Sequence, residues 1–338
     1  MAKGCRYGSH RVIDPPGSLP QRAKKINNST DIYDNEILVD VETLNIDAAS
    51  FTQLEEEAKG DHEKIASKIL EIVAERGKMQ NPVTGSGGMF IGRVAKIGSD
   101  LRGRVDVKKG DRIASMVSLS LTPLNITRIK SISPEKDQVT VEAKAVLFES
   151  GVFAKVPDDI PPTLVLAVLD VAGAPAQTAR LVKPGDKVLV LGAGGKSGLL
   201  CLHEAKLRAG VTGQVIAFIH SERSREIIEK AGLADTIIKG NAVNALEVLD
   251  KVSAATGGEL ADITINCVNI PGTEMASILP TREGGTVYFF TMATSFTAAA
   301  LGAEGAGRDI NMMIGNGYCK DHHLWTLQIM RTKSEVVG

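Results

Sequence analysis

The sequence lacks the features that mark secreted, membrane-spanning or nucleic-acid-binding proteins. Only 4% of its 338 residues are aromatic and the formal net charge is −1, which leaves neither a base-stacking platform nor a basic surface for nucleic acid. The N-terminus has no apolar stretch of the kind found in secretory signals. The longest apolar run, Leu164–Leu169, ends at Asp170 and is far shorter than the roughly 20 residues of a membrane span. We therefore expect no membrane partner and no nucleic-acid partner.

Cysteine is also scarce. The chain has four cysteines, Cys5, Cys201, Cys267 and Cys319, and no two of them are spaced as metal ligands. In a chain of this size they predict reduced thiols and a cytoplasmic location. The composition is otherwise that of a globular protein, and the length is sufficient for two domains.

The chain changes character near residues 155–160. Before that point it is irregular and rich in predicted strands. Glu36–Leu44 alternates apolar and polar residues as a half-buried strand does, and Leu54–Arg76 has the spacing of exposed amphipathic helices, interrupted at Gly60-Asp61. Further strands are predicted at Met89–Ile97, Arg112–Val117 and Gln138–Val146.

After that point strands and helices alternate. The strands are predicted at Lys187–Leu191, Gln214–Ile219, Thr236–Lys239, Asp262–Val268, Thr286–Met292 and Asp309–Ile314. A closing helix is predicted at Leu324–Val336. Because most of these strands are apolar on both faces, the pattern predicts a parallel, doubly wound α/β sheet. The chain is thus predicted to have a β-rich domain over residues 1–157 and a dinucleotide-binding domain over residues 158–338.

The glycine turn, Gly192–Gly198 (GAGGKSG), follows the first of these strands and opens a helix. Gly192 permits the tight turn, Gly194 lets the backbone approach a pyrophosphate, and Ser197 replaces the third glycine of the dinucleotide fingerprint. The other predicted cofactor contacts in the turn are Gly195 and Lys196. The N–H groups and the positive end of the helix favour the anionic pyrophosphate. The turn therefore predicts a nicotinamide dinucleotide site.

The end of the second strand of this sheet favours NADP over NAD. An NAD site usually has an acidic residue there, but none follows the strand directly. Ser221 and Arg223 are suited to a 2′-phosphate, whereas Glu222 is the alternative partner for a ribose hydroxyl. Ligands also bind outside the carboxyl ends of parallel strands. This rule adds five predicted cofactor contacts: Cys267, Val268, Asn269, Thr291 and Met292.

Several segments resemble a known superfamily. Four of them resemble the medium-chain dehydrogenases/reductases: Glu36–Asp47, Gly92–Gly98, Val107–Ile113 and Leu181–Leu200. Three others resemble, more narrowly, the L-erythro-3,5-diaminohexanoate dehydrogenases of bacterial lysine fermentation: Gly4–Val12, Pro15–Pro20 and Met312–His323. The resemblance implies a GroES-like irregular β domain that carries the substrate site, a Rossmann domain and a homodimer.

The resemblance also allows a prediction about zinc. Zinc-dependent members have a ligand cysteine after the second strand, a His-Glu pair before a later strand, and a four-cysteine lobe. Here Asp47 occupies the first position, Gly88-Met89 the second, and there is no such lobe. The pair His62-Glu63 lies on the predicted charged helix without further ligands at zinc spacing. The chain is therefore predicted to bind no metal.

Oxidative deamination, which the narrower resemblance implies, requires a base. The substrate amine is protonated near pH 7 and must lose a proton before hydride can leave. A partly buried carboxylate can hold the ammonium and accept that proton. Asp47, at the superfamily's first active-site position, is the leading candidate, and Asp170, which interrupts an apolar run, is the second. The alternative for each is structural, as a turn cap or an arginine partner.

A substrate with two ammonium groups and one carboxylate needs further partners. Glu55 is the predicted additional acid, although it belongs to the run Glu55–Glu57, which is also typical of a solvated face. Ser50 is predicted either to bind substrate or nicotinamide ribose, or to cap a helix. Three arginines are candidate carboxylate anchors: Arg11, Arg93 and Arg180.

Two groups that look reactive are predicted to be structural. Cys267 has no companion cysteine or histidine nearby in the sequence and is predicted to be a small packed thiol. His322 and His323 are adjacent near the start of the last helix, where they would point apart, and both are predicted to lie on the surface.

With the narrower resemblance, these features predict a zinc-free, NAD(P)-dependent amine dehydrogenase. It would convert L-erythro-3,5-diaminohexanoate to 5-amino-3-oxohexanoate and ammonia. One alternative is a zinc-free, NADP-dependent quinone or enoyl reductase, which would need an apolar cleft with a tyrosine or lysine acid. The other is a nucleotide-binding protein without turnover.

Overall fold

The computed structural model describes residues 2–315 and 317–332 of the chain. The chain folds as two units, Met1–Asp170 and Val171–Gly338. The first unit extends past residue 157, because the helix Pro162–Leu169 packs on strands of that unit. The change in sequence pattern near residues 155–160 coincides with the last strand of the first unit, Phe153–Lys155.

The first unit is an irregular, mainly antiparallel β structure. Its strands are β1 (Val12–Asp14), β2 (Lys25–Ile26), β3 (Glu36–Asn45), β4 (Met89–Ile97), β5 (Arg112–Ser115), β6 (Leu124–Ser133), β7 (Gln138–Phe148) and β8 (Phe153–Lys155). Its helices are α1 (Ala48–Ala58), α2 (His62–Arg76) and α3 (Pro162–Leu169). Strands β1 and β2 pair with each other, and the others form a six-stranded sheet in the order β6-β7-β3-β4-β5-β8.

The core of the first unit includes residues of the sheet and of helices α1 and α2. Leu44 of β3 and Phe90 of β4 are fully buried in one apolar cluster, to which α1 contributes Phe51 and α2 contributes Ile69. Each helix thus buries one stripe and exposes the opposite face, as its apolar spacing predicts. Because β3 is the central strand and runs directly into α1, the buried sheet fixes where that helix begins.

Strand β6 is not predicted by the sequence pattern. Its apolar residues Leu124, Ile126, Ile129 and Ile132 do not alternate regularly with polar residues. The pairing of β6 with β7 shifts register twice, first between Ile126 and Arg128. Such bulges insert an extra residue and break the period of two on which the prediction depends.

The second unit is a parallel sheet with helices between its strands. Its elements are α4 (Gly173–Leu181), β9 (Lys187–Leu191), α5 (Lys196–Ala209), β10 (Gln214–Ile219), α6 (Glu222–Ala231), β11 (Thr236–Lys239), α7 (Ala245–Thr256), β12 (Ala261–Asn266), α8 (Glu274–Ile278), β13 (Thr281–Phe289), α9 (Phe296–Gly305), β14 (Asn311–Ile314) and α10 (His322–Thr332). The strand order is β11-β10-β9-β12-β13-β14. This confirms the predicted doubly wound sheet, whose order reverses between β9 and β12.

Several boundaries in the second unit differ from the prediction. Strand β12 ends at Asn266 rather than Val268, and β14 begins at Asn311 rather than Asp309. Strand β13 begins at Thr281 rather than Thr286, and its pairing with β12 shifts register between Ala261 and Ile263. Helix α10 begins at His322, and residues 333–336 of the predicted closing helix lie outside the described residues. Among the described residues no single helix is long and apolar enough to cross a membrane, although the bent pair α3 and α4 reaches that length and composition together.

Candidate active site

The glycine turn connects β9 to α5 and is held against neighbouring strands. Gly192 has a φ of +73°, and a Cβ atom there would lie 2.9 Å from the carbonyl carbon of Cys267. The N–H groups of Gly192 and Ala193 donate to the carbonyl oxygen of Phe218 at 3.1 and 3.2 Å. The conformation and the close contact both exclude a side chain, which is the role predicted for the first glycine.

The residue that lets α5 approach β9 closely is Gly198 rather than Ser197. A Cβ atom at Gly198 would lie 2.3 Å from the carbonyl oxygen of Gly192 and 2.7 Å from the Cα atom of Ala193. Ser197 is half-buried at the second position of the helix. The prediction counted three residues on from Gly194, as the fingerprint does, whereas the close contact falls one residue later.

The first turn of α5 is open to solvent. The first N–H groups of an α-helix have no intrahelical acceptor, and Gly195, the N-cap residue, provides no side-chain cap. Gly195 and Lys196 are exposed, and a Cβ atom at Gly195 would meet the carbonyl oxygen of Gly192 at an unstrained 3.7 Å. An open helix N-terminus preceded by closely packed glycines fits the pyrophosphate of a dinucleotide.

The loop after β10 lies directly against the glycine turn. A Cβ atom at Gly194 would lie 2.1 Å from Ser224 Oγ, and that hydroxyl is 2.9 Å from Ser221 Oγ. Ser221 is also the N-cap residue of α6, because its Oγ accepts from the Ser224 N–H. Arg223 lies in the first turn of α6 and is exposed. The sequence prediction missed Ser224, although its position three residues after an N-cap serine was a signal for this contact.

Glu222, the alternative partner for a ribose hydroxyl, is engaged by two cations. Its Oε2 accepts from Arg225 Nε at 3.0 Å, and its Oε1 lies 2.9 Å from Lys239 Nζ. The hydrogen bonds from Lys239 and Arg225 lower the pKa of Glu222. The start of α6 therefore offers hydroxyls near Gly194, and its carboxylate, Glu222, is already paired.

The carboxyl ends of β12 and β13 bring two predicted cofactor contacts together. Thr291 Oγ1 donates to Asn269 Oδ1 at 3.4 Å. The Val268 N–H donates to Asn266 Oδ1 at 2.9 Å, and Met292 is 71% exposed. This arrangement is the one expected for adjacent parallel strands, and the roles of these residues in cofactor binding stay a prediction.

Cys267 has a thiol neighbour that the sequence did not reveal. Its Sγ atom lies 3.9 Å from Sγ of Cys201, which is buried on α5. The sequence shows no companion near Cys267, and the structure brings one from a distant segment; that Cys267 is a small packed thiol stays a prediction. The two residues are distant in sequence, and the packing of α5 on the sheet brings them together.

A second candidate site lies where β3 turns into α1. The Asp47 corner comprises Asn45–Ser50 with Thr84 and Gly88. Asp47 is the N-cap residue of α1, since its Oδ1 accepts from the Ser50 N–H at 3.0 Å. Its Oδ2 is shielded from solvent, and no residue within the described parts of the chain donates a hydrogen bond to it. The structural alternative, a helix cap, therefore accounts for only one of the two carboxylate oxygens.

Gly88 packs directly on the backbone of the corner. It has a φ of +93°, and a Cβ atom there would lie 1.9 Å from the carbonyl oxygen of Asn45 and 2.8 Å from the Asp47 nitrogen. Asp47 and Gly88, which occupy the positions of zinc ligands in zinc-dependent members, are therefore adjacent. The backbone of the corner leaves no room for a side chain at Gly88. Within residues 2–315 and 317–332, no group of three or more His, Cys, Asp or Glu side chains suits a metal ion. Zinc independence stays a prediction.

Two other predicted substrate contacts lie on α1. Ser50 is fully buried and its Oγ is hydrogen-bonded to Thr84 Oγ1 at 2.5 Å. Because Asp47 caps the helix, the N-cap alternative for Ser50 is wrong. Glu55 is half-buried two turns, or about 12 Å, along the helix from Asp47, whereas Glu57 is exposed and forms a surface ion pair.

Asp170 ends helix α3. It is half-buried rather than buried, and its N–H donates to the carbonyl oxygen of Leu166 at 3.2 Å. A carboxylate at a helix C-terminus opposes the helix dipole by about 0.3–1 kcal/mol. The helix end itself therefore gives no reason for an acidic residue at this position.

The candidate carboxylate anchors differ in availability. Arg11 is buried, and its Nε and Nη2 donate to the two carboxylate oxygens of Glu36 at 2.7 and 2.6 Å. Burial alone would raise the pKa of Glu36, but the hydrogen bonds from Arg11 and the backbone outweigh it and lower that pKa. Arg93 pairs with Glu42 at 3.0 Å, and Arg180 donates to a backbone carbonyl. Arg11 is therefore wrong as an anchor, since it ties the N-terminal segment to β3.

His322 is buried, contrary to the prediction that both adjacent histidines lie on the surface. It is 1% exposed, and its ring meets that of Tyr318 edge-on with centroids 5.2 Å apart. Burial lowers its pKa to about 4. His323 is half-buried, and burial lowers its pKa as well. The reason is that α10 packs on α4.

Sequence comparisons bear on both candidate sites. A model of the L-erythro-3,5-diaminohexanoate dehydrogenase N-terminal domain matches residues 10–157. The L-erythro-3,5-diaminohexanoate dehydrogenase of Acetoanaerobium sticklandii is 62% identical over 335 residues, which are 99% of this chain and 97% of the relative. The enzyme of that name from Fusobacterium nucleatum is 56% identical over 331 residues, 98% of this chain and 96% of the relative. The chain belongs to the L-erythro-3,5-diaminohexanoate dehydrogenase family.

The fold of this diaminohexanoate dehydrogenase family member is similar to a reductase fold. Escherichia coli quinone oxidoreductase complexed with NADPH is 17% identical with a TM-score of 0.54, and the match covers 91% of this chain and 83% of that one. At this identity the likeness shows the fold alone. It confirms the predicted class, an α/β protein of the medium-chain dehydrogenase/reductase architecture with a GroES-like β unit and a Rossmann sheet.

Proposed function

We propose that the chain oxidises L-erythro-3,5-diaminohexanoate to 5-amino-3-oxohexanoate and ammonia. The observation that carries this proposal is membership of the diaminohexanoate dehydrogenase family over almost the whole chain. The glycine turn and the Asp47 corner supply the two kinds of group that the reaction needs, an anion cradle for a dinucleotide and a carboxylate for an ammonium. When bound, the nicotinamide accepts the hydride that leaves the substrate carbon.

Asp47 is the proposed proton acceptor for the 3-ammonium group. Its Oδ1 is oriented by the Ser50 N–H, and its Oδ2 has no donor among the described residues. A shielded carboxylate oxygen without a hydrogen bond is costly, and a substrate ammonium would satisfy it. Asp47 then takes one ammonium proton, which frees the nitrogen lone pair to expel hydride from the adjacent carbon. Water then adds to that carbon and gives up its two protons to the solvent as the carbonyl forms. The protonated Asp47 returns its proton to nitrogen, and ammonia leaves with the electron pair of the C–N bond.

Asp170 is the proposed partner of the second ammonium group, with Glu55 as the alternative. Asp170 is the acidic residue that ends the apolar helix α3, and it is half-buried there. Glu55 is about 12 Å along α1 from Asp47, so its side chain would have to extend back towards the helix start to meet the same substrate. Comparing the variants Asp170→Asn and Glu55→Gln distinguishes them. Only substitution of the residue that binds the second ammonium group should raise the KM for the diamine.

We also infer a preference for NADP over NAD. Ser224 places a hydroxyl beside Gly194 and is hydrogen-bonded to Ser221, Arg223 is exposed in the first turn of α6, and the competing Glu222 is held by Arg225 and Lys239. A 2′-phosphate would receive hydrogen bonds from hydroxyls and a guanidinium. Titration of the protein with NADPH and NADH should give the lower Kd for NADPH. Equal or reversed affinities would contradict the preference and leave the proposed reaction untouched.

The proposed reaction is tested with the purified protein, L-erythro-3,5-diaminohexanoate, and either NADP⁺ or NAD⁺. The absorbance of the reduced cofactor should rise and ammonia should appear in equal amount. A parallel sample receives NADPH with a quinone or an enone. Oxidation of NADPH by these acceptors without any reaction of the diamine would favour the reductase alternative.

A homodimer is proposed through the edge strand β14. This strand pairs with β13 on one side only, and its Met312 and Ile314 are 40% and 54% exposed. An apolar edge strand is a template for pairing with a second copy. Light scattering should give the mass of a dimer, and Ile314→Lys should shift it towards the monomer. An unchanged dimer in the variant would place the interface elsewhere.

A cytoplasmic location is inferred from the thiols. All four cysteines are free, which is typical of proteins in reducing compartments. Fractionation of cells that express the protein should recover it with cytoplasmic markers.

A further inference from the structure

Cys201 and Cys267 form a thiol pair beside the glycine turn. Their sulfur atoms are 3.9 Å apart, and a disulfide requires about 2.05 Å. Cys201 is buried on α5, the helix that begins at the turn, and Cys267 directly follows β12. The two thiols therefore connect the two elements that flank the proposed pyrophosphate site.

The backbone of Cys267 touches the turn itself. Its N–H donates to the carbonyl oxygen of Leu191, the last residue of β9, at 3.0 Å. Its carbonyl carbon and oxygen lie 2.9 and 3.0 Å from where a Cβ atom of Gly192 would be. Since Gly192 already adopts a positive φ and has no free space on that side, a displacement of Cys267 must be transmitted to the turn.

The two thiols differ in reactivity. Cys201 is buried, and burial raises the pKa of its thiol well above the usual value. Cys267 is half-buried and is the sulfur that a small solute reaches first. Tyr288 lies near both thiols, and its buried hydroxyl has no hydrogen-bond partner among the described residues. That hydroxyl is available to donate to a sulfur that becomes charged or oxidised.

We propose that Cys267 and Cys201 are a redox-modification site, at which a peroxide converts the thiol pair to a disulfide and weakens cofactor binding. The Cys267 thiolate attacks one peroxide oxygen, forms a sulfenic acid and releases the other oxygen as water. The Cys201 thiol then attacks the Cys267 sulfur, loses its proton, and displaces a second water as the S–S bond forms. Two thiols are oxidised by two electrons in total, and one peroxide is reduced to two waters.

The consequence for the cofactor rests on the proposed function of the turn. Closing the sulfur gap by nearly 2 Å moves either the start of α5 or the backbone at Cys267, and both border the glycine turn. We expect the affinity for NADPH to fall by about tenfold or more. A bound dinucleotide should slow the oxidation, because Cys267 lies at the carboxyl end of a strand where ligands of such sheets bind.

The test treats the whole protein with hydrogen peroxide and follows thiol content, intact mass and NADPH affinity separately. The Cys5→Ser protein, which lacks the exposed thiol, should lose two thiols and the mass of two hydrogen atoms, with peptides containing Cys201 and Cys267 joined, and a thiol reductant should restore NADPH binding. Cys201→Ser should accumulate a sulfenic acid at Cys267 that dimedone traps. Wild type and Cys319→Ser should form the same link and lose NADPH affinity to the same extent, with Cys5 oxidised separately in both.

The outcomes separate the modification from the cofactor site. Absence of the Cys201–Cys267 link after peroxide treatment overturns the modification site, whatever the protein binds. A link that forms while NADPH affinity stays unchanged overturns the control of cofactor binding. If the untreated protein does not bind NADPH at all, the proposed function fails. The mass measurement of the Cys201–Cys267 disulfide still tests the modification site in that case.

Discussion

The glycine turn and the Asp47 corner are prepared for their ligands in opposite ways. At the turn, backbone atoms define the site, because Gly192 and Gly198 lie so close to neighbouring carbonyl groups that no Cβ atom fits. At the corner, a side chain defines the site, because one oxygen of Asp47 is held by the helix start and the other has no donor among the described residues. The first site should be intolerant of added atoms, and the second should be intolerant of a changed charge.

This difference separates binding from chemistry. A pyrophosphate carries its charge already and needs only N–H groups and space. An ammonium that must lose a proton needs an acceptor whose protonation state changes during the reaction. Variants that keep shape but remove charge should therefore act at the corner, whereas variants that keep charge but add volume should act at the turn.

The largest effect is expected from Asp47→Asn. Asparagine caps helices as well as aspartate does, so α1 and the fold should persist, but an amide cannot take the ammonium proton. Turnover of the diamine should fall by about 10³-fold or more, within the range for loss of a general base, while the Kd for NADPH stays within about twofold of wild type. Steady-state kinetics and a binding titration measure the two quantities.

Asp61→Asn is the matched control for that variant. Asp61 caps α2 by accepting from the N–H groups of Glu63 and Lys64, so the same chemical change is made at a second helix start. It should leave turnover unchanged. A similar loss in both variants, or substantial activity in Asp47→Asn, would remove Asp47 as the base.

The next effect concerns stability rather than either site. Arg11→Met removes the guanidinium from the carboxylate of Glu36, which is 0% exposed, and leaves it with His10 Nε2 at 2.9 Å and the Tyr33 N–H. Loss of one member of a buried pair costs about 3–5 kcal/mol, and the remaining partners place the expected cost at about 3 kcal/mol. Urea unfolding followed by circular dichroism should show this loss. Arg104→Met breaks the exposed pair with Glu149 and should cost less than about 1 kcal/mol. Equal losses would show that the N-terminal segment is not held by Arg11.

The sequence predicts these features unequally, for physical reasons. The parallel sheet and the glycine turn depend on local patterns, namely apolar strands and a run of small residues. A short continuous segment of the sequence is enough to show each of them. The role of Arg11 depends on Glu36, and the thiol pair depends on the packing of α5 on the sheet. Both features join residues that are distant in the sequence, so no single segment reveals them. The spacing of the fingerprint gives the role of the third glycine to Ser197, whereas the close contact with the turn falls on Gly198.

The corner is an intermediate case. A resemblance placed Asp47 at the active-site position, and the sequence could not show which of its oxygens the helix start would occupy. Thr84, which hydrogen-bonds Ser50, was missed because it lies in a separate loop. Substrate contacts are thus harder to predict than cofactor contacts wherever they combine side chains from several segments.

A smaller effect separates two glycines of the turn. Gly198→Ala places a Cβ atom 2.3 Å from a carbonyl oxygen, and such overpacking costs about 1–3 kcal/mol. We expect lower thermal stability and an NADPH affinity reduced by about tenfold. Gly195→Ala, where the nearest contact is 3.7 Å, should keep the thermal stability of wild type. If the two variants behaved alike, close backbone packing would not be what defines this site.

The smallest effect is a pH dependence in the second unit that should leave the chemistry untouched. Burial lowers the pKa of His322 to about 4 from an ordinary 6.5, so the unfolded chain binds a proton at a higher pH than the folded chain does. Stability is therefore fully present above pH 6.5 and is lost as the pH falls towards 4, by about 1 kcal/mol between pH 7 and 5.5. Burial also lowers the pKa of the neighbouring His323, which adds to the loss in the same direction.

His322→Gln should reduce this loss of stability at low pH in urea unfolding. His62→Gln, which changes an exposed histidine of α2, should not. A change in diamine turnover at pH 7 in His322→Gln would break the assignment of the chemistry to the Asp47 corner.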